Sequence, residues 1–201
     1  MVKVLTTSFN KIWLGLVALN LLILLFFPEW YSKESIARLL SSFGAAALAV
    51  YILTSMVRAF FLIPSTPLIV AGAITFPETP IVIWFISLIG VVVGAFLVYS
   101  LPSFGGYEKF LQTAYPRKIA YLKRKMRDRY AFWIILGWAF FPFVPTDAVC
   151  YVAGIAKTPF RKVVFPLLLG QLPLATAYIF LGSEIGEWLR IRQVDLNSVT
   201  L

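Results

Sequence analysis

Two charged residues stand inside otherwise apolar stretches, and they are the first candidates for chemistry. Arg58 lies within the run 39–63, and Asp147 is the only acidic residue in the run 131–156. A charge in apolar surroundings is costly unless it is paired or held by a ligand. We predict that the two are neighbours across a cavity, with Arg58 as a phosphate ligand and Asp147 as a proton or cation site. Two simpler interpretations stay open, namely that Asp147 caps a helix and that Arg58 satisfies backbone carbonyls.

Both charges lie close to a double-proline turn at which a helix is expected to begin. In the first turn two hydroxyl residues precede Pro67, the order of an N-cap followed by proline at the first helical position. The free N–H groups and the positive dipole end of such a terminus favour anions. Arg161 is either an interfacial anchor or a residue that holds headgroups. The candidate transport and substrate-binding residues are Arg58, Pro64, Ser65, Thr66, Pro67, Gly72, Pro142, Pro145, Thr146, Asp147, Gly154 and Arg161.

The residue inventory argues against an enzyme. The sequence has no histidine, the commonest general base and metal ligand. Its single cysteine, Cys150, has no accompanying base, so we interpret it as an apolar filler. We therefore predict no catalytic residue, no metal and no cofactor.

The composition indicates a membrane protein. Hydrophobic residues make up 60% of the 201 residues and charged residues 13%, whereas soluble domains carry about 25% charged residues. The net charge is +9, but most basic residues lie between apolar segments, which is typical of the positive-inside bias of membrane proteins. We therefore expect membrane lipids, and not nucleic acid, as partners.

Apolar segments of two lengths predict the architecture. Some are close to the roughly 20 residues that a transmembrane helix needs, and others are only about half as long. The predicted single membrane domain, residues 1–201, comprises a retained N-terminal transmembrane helix at 12–27, a re-entrant hairpin at 39–76, a transmembrane helix at 81–101, a basic amphipathic cytoplasmic segment at 102–130, a second re-entrant hairpin at 131–156 and a transmembrane helix at 163–181.

The two halves of the sequence share an order of features. Pro-x-x-Pro, then Ala-Gly, then Pro occurs at 64–77 and again at 142–159. If the basic segment 102–130 is cytoplasmic, the two hairpins enter from opposite faces, as in inverted-repeat transporters. The predicted fold is an all-α integral membrane protein built as an inverted repeat of a re-entrant hairpin plus a transmembrane helix, with an extra N-terminal transmembrane helix. Two ordinary kinked spans are the alternative.

These motifs resemble the DedA superfamily, and within it the VTT-domain branch. The run 142–147, the segments 151–154 and 159–162, and the stretch 169–173 carry the resemblance, which covers roughly residues 40–183. It implies opposed re-entrant hairpins and movement of lipids between leaflets. Bacterial members are associated with recycling undecaprenyl phosphate or moving phosphatidylethanolamine, often with the proton-motive force, and eukaryotic relatives are scramblases.

The chain departs from the family pattern at two places. Many members have an acidic residue in the first hairpin, where this chain has Ser65-Thr66. Many also have an arginine just before the second double-proline turn, where this chain has Trp138-Ala139. Proton coupling would therefore rest on Asp147 alone.

The leading hypothesis is a lipid transporter, either a flippase or a scramblase. It would move phospholipid or polyprenyl-phosphate headgroups through a polar cavity near the midplane of the membrane. Proton coupling and homo-oligomer formation are left open, and the expected location is multi-pass in the cell membrane if the chain is prokaryotic. The alternative is a small-solute or ion transporter of the same architecture, which would need more polar groups inside the membrane. An enzyme acting on lipid phosphates and a non-transporting scaffold rank lower.

Overall fold

The structure, a computed structural model, describes residues 2–104, 113–141 and 146–181, and every regular element within these ranges is helical. Three short 3₁₀ turns, Pro28–Tyr31, Gly44–Ala46 and Arg58–Phe61, link helices, and the π-helical segment Ala177–Leu181 continues the last one. The helices are α1 Val2–Phe26, α2 Lys33–Ser42, α3 Ala47–Val57, α4 Ser65–Thr75, α5 Pro80–Phe104, α6 Pro116–Arg127, α7 Tyr130–Phe140, α8 Thr146–Ile155 and α9 Arg161–Thr176.

Three helical stretches in the described ranges are long and apolar enough to cross a membrane. They are Gly44–Phe61, Pro80–Ser103 and Arg161–Leu181, of 18, 24 and 21 residues. At 1.5 Å per residue, about 20 residues match the hydrocarbon core of a bilayer. The last two agree with the predicted transmembrane helices at 81–101 and 163–181. α1, predicted at 12–27, begins earlier, at Val2.

The apolar run predicted as one arm from residue 39 is divided in the structure. α2 ends at Ser42, and Gly44 has a φ of 52°, a left-handed conformation that glycine adopts without steric cost. A new helical stretch starts there, so the long arm of the first hairpin begins at Gly44 and not at Leu39. α2 instead buries Ala37 and Leu40 and exposes its charged residues.

The second hairpin has two short arms. α7 and α8 contain 11 and 10 residues, each about half of a membrane span. The first hairpin is asymmetric, because its second arm, α4, has 11 residues while its first arm is long enough to span. Re-entry of either hairpin into a membrane stays a prediction.

The basic segment predicted at 102–130 is partly described. Residues 105–112, including Lys109, lie outside the described residues. Beyond them α6 buries Ile119 and exposes Arg117 and Lys118, which is the pattern of an amphipathic helix.

Glycines bring each long helix close to the first arm of its own hairpin. An added Cβ at Gly94 of α5 would lie 2.7 Å from the side chain of Ala59. An added Cβ at Gly170 of α9 would likewise lie 2.7 Å from the side chain of Ala139. Small residues at membrane helix contacts allow this close approach. Ala59 and Ala139 are thus each packed against a glycine of the long helix that follows in the sequence.

The second arms pack across to the opposite half. α8 packs along α5, where an added Cβ at Gly154 would lie 2.1 Å from the carbonyl oxygen of Tyr99. α4 packs against the segment 177–181 that continues α9. The two halves of the described chain are therefore interleaved.

Large apolar side chains cover the outside of the bundle. Leu53, Phe85, Trp133 and Phe165 are each more than half exposed. Many other large apolar side chains are exposed as well, such as Leu25 and Trp30. Together with the long apolar helices, this exposure shows a protein whose outer surface suits lipid.

Candidate functional site

A buried ion pair joins the two hairpins. Arg58 and Asp147 are only 4% and 7% exposed, and Arg58 Nη1 lies 3.4 Å from Asp147 Oδ2. The two residues are 89 positions apart in the sequence and belong to different halves. The structure thus brings together the two charges that were predicted from the sequence to be neighbours.

The chain turn after Arg58 explains why its side chain stays near the hairpin end. Leu62 is left-handed, with a φ of 57°, and the N–H groups of Leu62 and Ile63 donate to the carbonyls of Ala59 and Arg58. This is the Schellman pattern that ends a helix. Arg58 Nη1 also donates to the carbonyl of Ile63 at 3.1 Å. Arg58 therefore both satisfies the turn and pairs with Asp147.

Two neutral side chains satisfy further carbonyls where the helices break. Trp13 Nε1 of α1 donates to the carbonyl of Phe60 at 2.8 Å, and Gln171 Nε2 of α9 donates to that of Ala139 at 2.9 Å. Carbonyls at a helix end have no partner within the helix, and inside a membrane water does not supply one. The indole of Trp13 also stacks on Tyr151 of α8, with ring centroids 5.9 Å apart. Neither donor was predicted from the sequence, where the only signal was a polar group in an apolar run.

The start of α4 differs from the prediction. Pro64 is the N-cap, with a φ of −56° and no side-chain capping hydrogen bond, and the helix begins at Ser65. The predicted hydroxyl N-cap is therefore wrong, because Pro64 already has the extended backbone that an N-cap needs. Ser65, Thr66 and Pro67 form the first turn and are half-buried. Pro67 costs no hydrogen bond there, because the first N–H groups of a helix have no acceptor within it.

The start of α8 presents the acidic partner. Thr146 and Asp147 are the first two residues of that helix, and both are buried. Pro142 and Pro145, predicted to form the turn, lie outside the described residues. A carboxylate in a first helical turn interacts favourably with the helix dipole. Asp147 thus lies in the first turn of α8, where the helix dipole favours its charge, and it also contacts Arg58.

The remaining predicted site residues serve other contacts. An added Cβ at Gly72 would lie 2.5 Å from the ring of Tyr51, and Gly154 faces the backbone of Tyr99. Both glycines therefore allow helices to approach closely. Arg161 is exposed at the start of α9 and lies in a separate pocket, with Arg129.

A cluster of hydroxyl groups lies between α3 and α5, with Ser55 three residues and Tyr51 seven residues before Arg58. Tyr51 Oη and Ser87 Oγ are 2.8 Å apart, and Ser87 Oγ donates to the carbonyl of Ile83. Ser55 Oγ is buried and has no hydrogen-bond partner among the described residues. The described residues contain no cluster of His, Cys, Asp and Glu that could hold a metal ion. In the described part of the chain, the buried charged residues are therefore the pair Arg58 and Asp147, and the other buried polar side chains are neutral.

Comparison with known proteins gives one match. The family model described as the VTT domain matches residues 63–184. Asp147 and Gln171 lie within the matched stretch, and Arg58 lies five residues before it. No curated protein and no solved structure matches the chain significantly.

Proposed function

The chain belongs to the VTT-domain family, the domain of the DedA family, and from that premise we propose that it moves phosphate-bearing lipids between the two leaflets of a membrane. The observation that carries the proposal is the buried pair of Arg58 and Asp147, which links two broken hairpins. In a membrane protein a buried charge pair of this kind marks a substrate or ion pathway.

The proposed substrate group is a phosphate, because Arg58 is suited to bind one. Its guanidinium offers five donors in a fixed fork that matches the geometry of a phosphate. The contact with Asp147 is 3.4 Å long, whereas a strong charge-assisted hydrogen bond measures about 2.7–2.9 Å. An incoming phosphate would compete with Asp147 for the same guanidinium, and it offers more oxygens than the single carboxylate atom now in contact.

The proposed path keeps the lipid tails in the bilayer while the headgroup passes the pair. The interleaved arms α4 and α8 both begin near this point, and their first turns present free backbone N–H groups. The outer surface of the bundle is apolar, as acyl chains require. We propose that the two hairpins are re-entrant from opposite faces, that the halves form an inverted repeat, and that the chain is multi-pass, in the cell membrane if it is prokaryotic.

We propose a transporter and not an enzyme. Hydrolysis of a lipid phosphate needs a nucleophile or activated water, and the chain contains no histidine to serve as the base. Cys150, its only thiol, is fully buried. Asp147 is the acidic partner of the ion pair, and its carboxylate is the group of that pair that can take up a proton. A proton-driven flippase would use this protonation, whereas a passive scramblase would not.

The test is lipid movement in reconstituted vesicles. Purified protein is inserted into vesicles that contain fluorescent lipids of several headgroups, with and without a pH gradient, and the accessible fluorescence is followed after adding a membrane-impermeant quencher. We expect faster exchange of phosphate-bearing lipids than in protein-free vesicles. Acceleration only with a pH gradient would indicate a flippase.

A matched pair of variants tests the role of Arg58. Arg58→Gln should abolish the acceleration, whereas Arg38→Gln, the same substitution at an exposed site on α2, should leave it unchanged. Folded wild-type protein that moves no lipid under any condition would remove the proposal.

A further inference from the structure

A pocket lies at the far end of the second hairpin from the Arg58–Asp147 pair. It has a volume of about 390 Å³ and is formed by the end of α6, the turn before α7 and the first residues of α9. α7 has 11 residues, so roughly 15 Å of helix separates its first residue from its last. The pocket lies beside the first residue of α7, Tyr130. Asp147 follows the last residue of that helix, Phe140, in the sequence. The two sites are therefore distinct.

The charge of this pocket is positive. Arg129, Arg161 and Lys162 line it together with one acidic residue, Asp128. Asp128 Oδ1 already accepts a hydrogen bond from the backbone N–H of Tyr130, at 3.2 Å. Within the described part of the chain neither Arg161 nor Lys162 forms an ion pair. The pocket thus offers more cationic groups than its own carboxylate can balance, which favours an anionic ligand.

One wall of the pocket is apolar. Phe132 and Phe165 lie along it with ring centroids 6.3 Å apart, and Phe165 is 60% exposed. A free phosphate gains nothing from aromatic rings, whereas a phospholipid places its glycerol and acyl chains beside its phosphate. The neighbouring α6 is basic and amphipathic, as expected of a helix at a membrane surface. Basic side chains and an apolar wall at such a surface together fit a lipid anion.

We propose that this pocket is a docking site for an anionic phospholipid, whose phosphate binds Arg129, Arg161 and Lys162 while its chains lie against Phe132 and Phe165. A role of the pocket in loading lipid for transport rests on the function proposed above. Binding of the lipid to the pocket does not rest on that function, because occupancy is measurable without any movement of lipid.

Binding is tested with the full-length protein in an uncharged detergent. The probe is radiolabelled phosphatidylglycerol, with phosphatidylcholine as the zwitterionic comparison, and the readout is equilibrium binding. Each basic side chain near an anionic lipid contributes a factor of about five to affinity. Arg161→Gln combined with Lys162→Gln should therefore weaken phosphatidylglycerol binding about 25-fold, and phosphatidylcholine should bind weakly to both proteins.

The control removes two charges from the same basic region but outside the pocket. Arg117→Gln combined with Lys118→Gln, on exposed positions of α6, should change binding less than threefold. Equal losses of phosphatidylglycerol binding in the two double variants would show that the lipid binds a diffuse basic surface, and the proposed docking site would be rejected. Complete competition by inorganic phosphate at the lipid's own concentration would overturn the lipid assignment. Should the pocket variant fail to fold, Arg129→Gln alone, with an expected fivefold loss, carries the test.

Failure of this proposal is distinguishable from failure of the transport function. Folded Arg58→Gln should lose lipid movement and any phosphatidylglycerol bound at the ion pair, while it keeps the component of binding that Arg161→Gln combined with Lys162→Gln removes. Intact binding in a wild-type protein that moves no lipid would leave the docking site standing and remove only the transport function. Loss of that component in Arg58→Gln would show that the probe binds at the Arg58–Asp147 pair, and the docking site would be rejected.

Discussion

The ion pair between Arg58 and Asp147 is expected to be strongly coupled. At 3.4 Å and an effective dielectric constant of about 20, two unit charges attract by about 5 kcal/mol. Removing one partner of a buried pair costs about 3–5 kcal/mol, because the other charge is left without compensation. Arg58→Ala and Asp147→Asn should each lower the free energy of unfolding by up to about 3–5 kcal/mol. The loss should be smaller for Asp147→Asn, because asparagine keeps the shape of the side chain and removes only its charge.

A double-mutant cycle measures the coupling. The free energy of unfolding is obtained for the wild type, the two single variants and the double variant, by denaturant titration in one fixed detergent. The double variant should be more stable than the sum of the single effects predicts, by about 2 kcal/mol. Lys33 and Glu34 provide the control. Their charged groups are 3.7 Å apart and their side chains are 53% and 62% exposed. Exposed pairs of this kind couple by at most about 1 kcal/mol.

A second double variant separates structural from functional roles of the pair. Arg58→Met combined with Asp147→Leu removes both charges and keeps most of the volume, which is often neutral for stability or even favourable. This variant should unfold close to the wild type and move no lipid. Strictly additive effects in the cycle would refute the pairing. Wild-type lipid movement in the Met/Leu variant would show that the pair only holds the hairpins together.

Three further predictions concern packing and capping. Gly154→Ala should prevent folding or lower stability by more than about 3 kcal/mol, because its Cβ would lie 2.1 Å from a backbone oxygen, whereas Gly137→Ala, with open space around it, should be neutral or stabilising in a thermal scan. Gln171→Leu should cost about 1–3 kcal/mol in denaturant titration, because the carbonyl of Ala139 loses its donor; an unchanged midpoint would contradict this capping role. Cys150 is fully buried, so a maleimide should label it only after unfolding, and rapid labelling of the folded protein would refute that burial.

The long helices and the position of the ion pair were predictable from the sequence. Hydropathy identifies a transmembrane helix because polar side chains are costly in the hydrocarbon core and are therefore rare there outside functional positions. The cost of an isolated charge is likewise independent of the fold, so Arg58 requires a partner in any arrangement of the helices. Asp147 was the natural choice, because the second hairpin contains no other acid.

Other features depend on tertiary contacts that local sequence does not determine. The break at Gly44 was missed because glycine is common inside membrane helices and does not by itself end one. The hydroxyl N-cap was wrong because Pro64 takes the N-cap position one residue before Ser65. Gly72 and Gly154 were predicted as transport-site residues. The role of such a glycine depends on which helix lies opposite, and only the folded chain shows Tyr51 and Tyr99 there.

The two halves together argue that the charge on Arg58 is not needed for the fold alone. Gly94 lies against Ala59 and Gly170 against Ala139, so each long helix closely contacts the first arm of the hairpin that precedes it. In the second half a neutral donor, Gln171, satisfies the exposed carbonyl at the break. A neutral donor also suffices beside Arg58, where Trp13 serves the carbonyl of Phe60. At these two carbonyls a neutral donor is sufficient, so the charge of Arg58 is balanced by Asp147 and not by the backbone alone. The Arg58→Met/Asp147→Leu variant therefore tests directly whether lipid movement requires that charge.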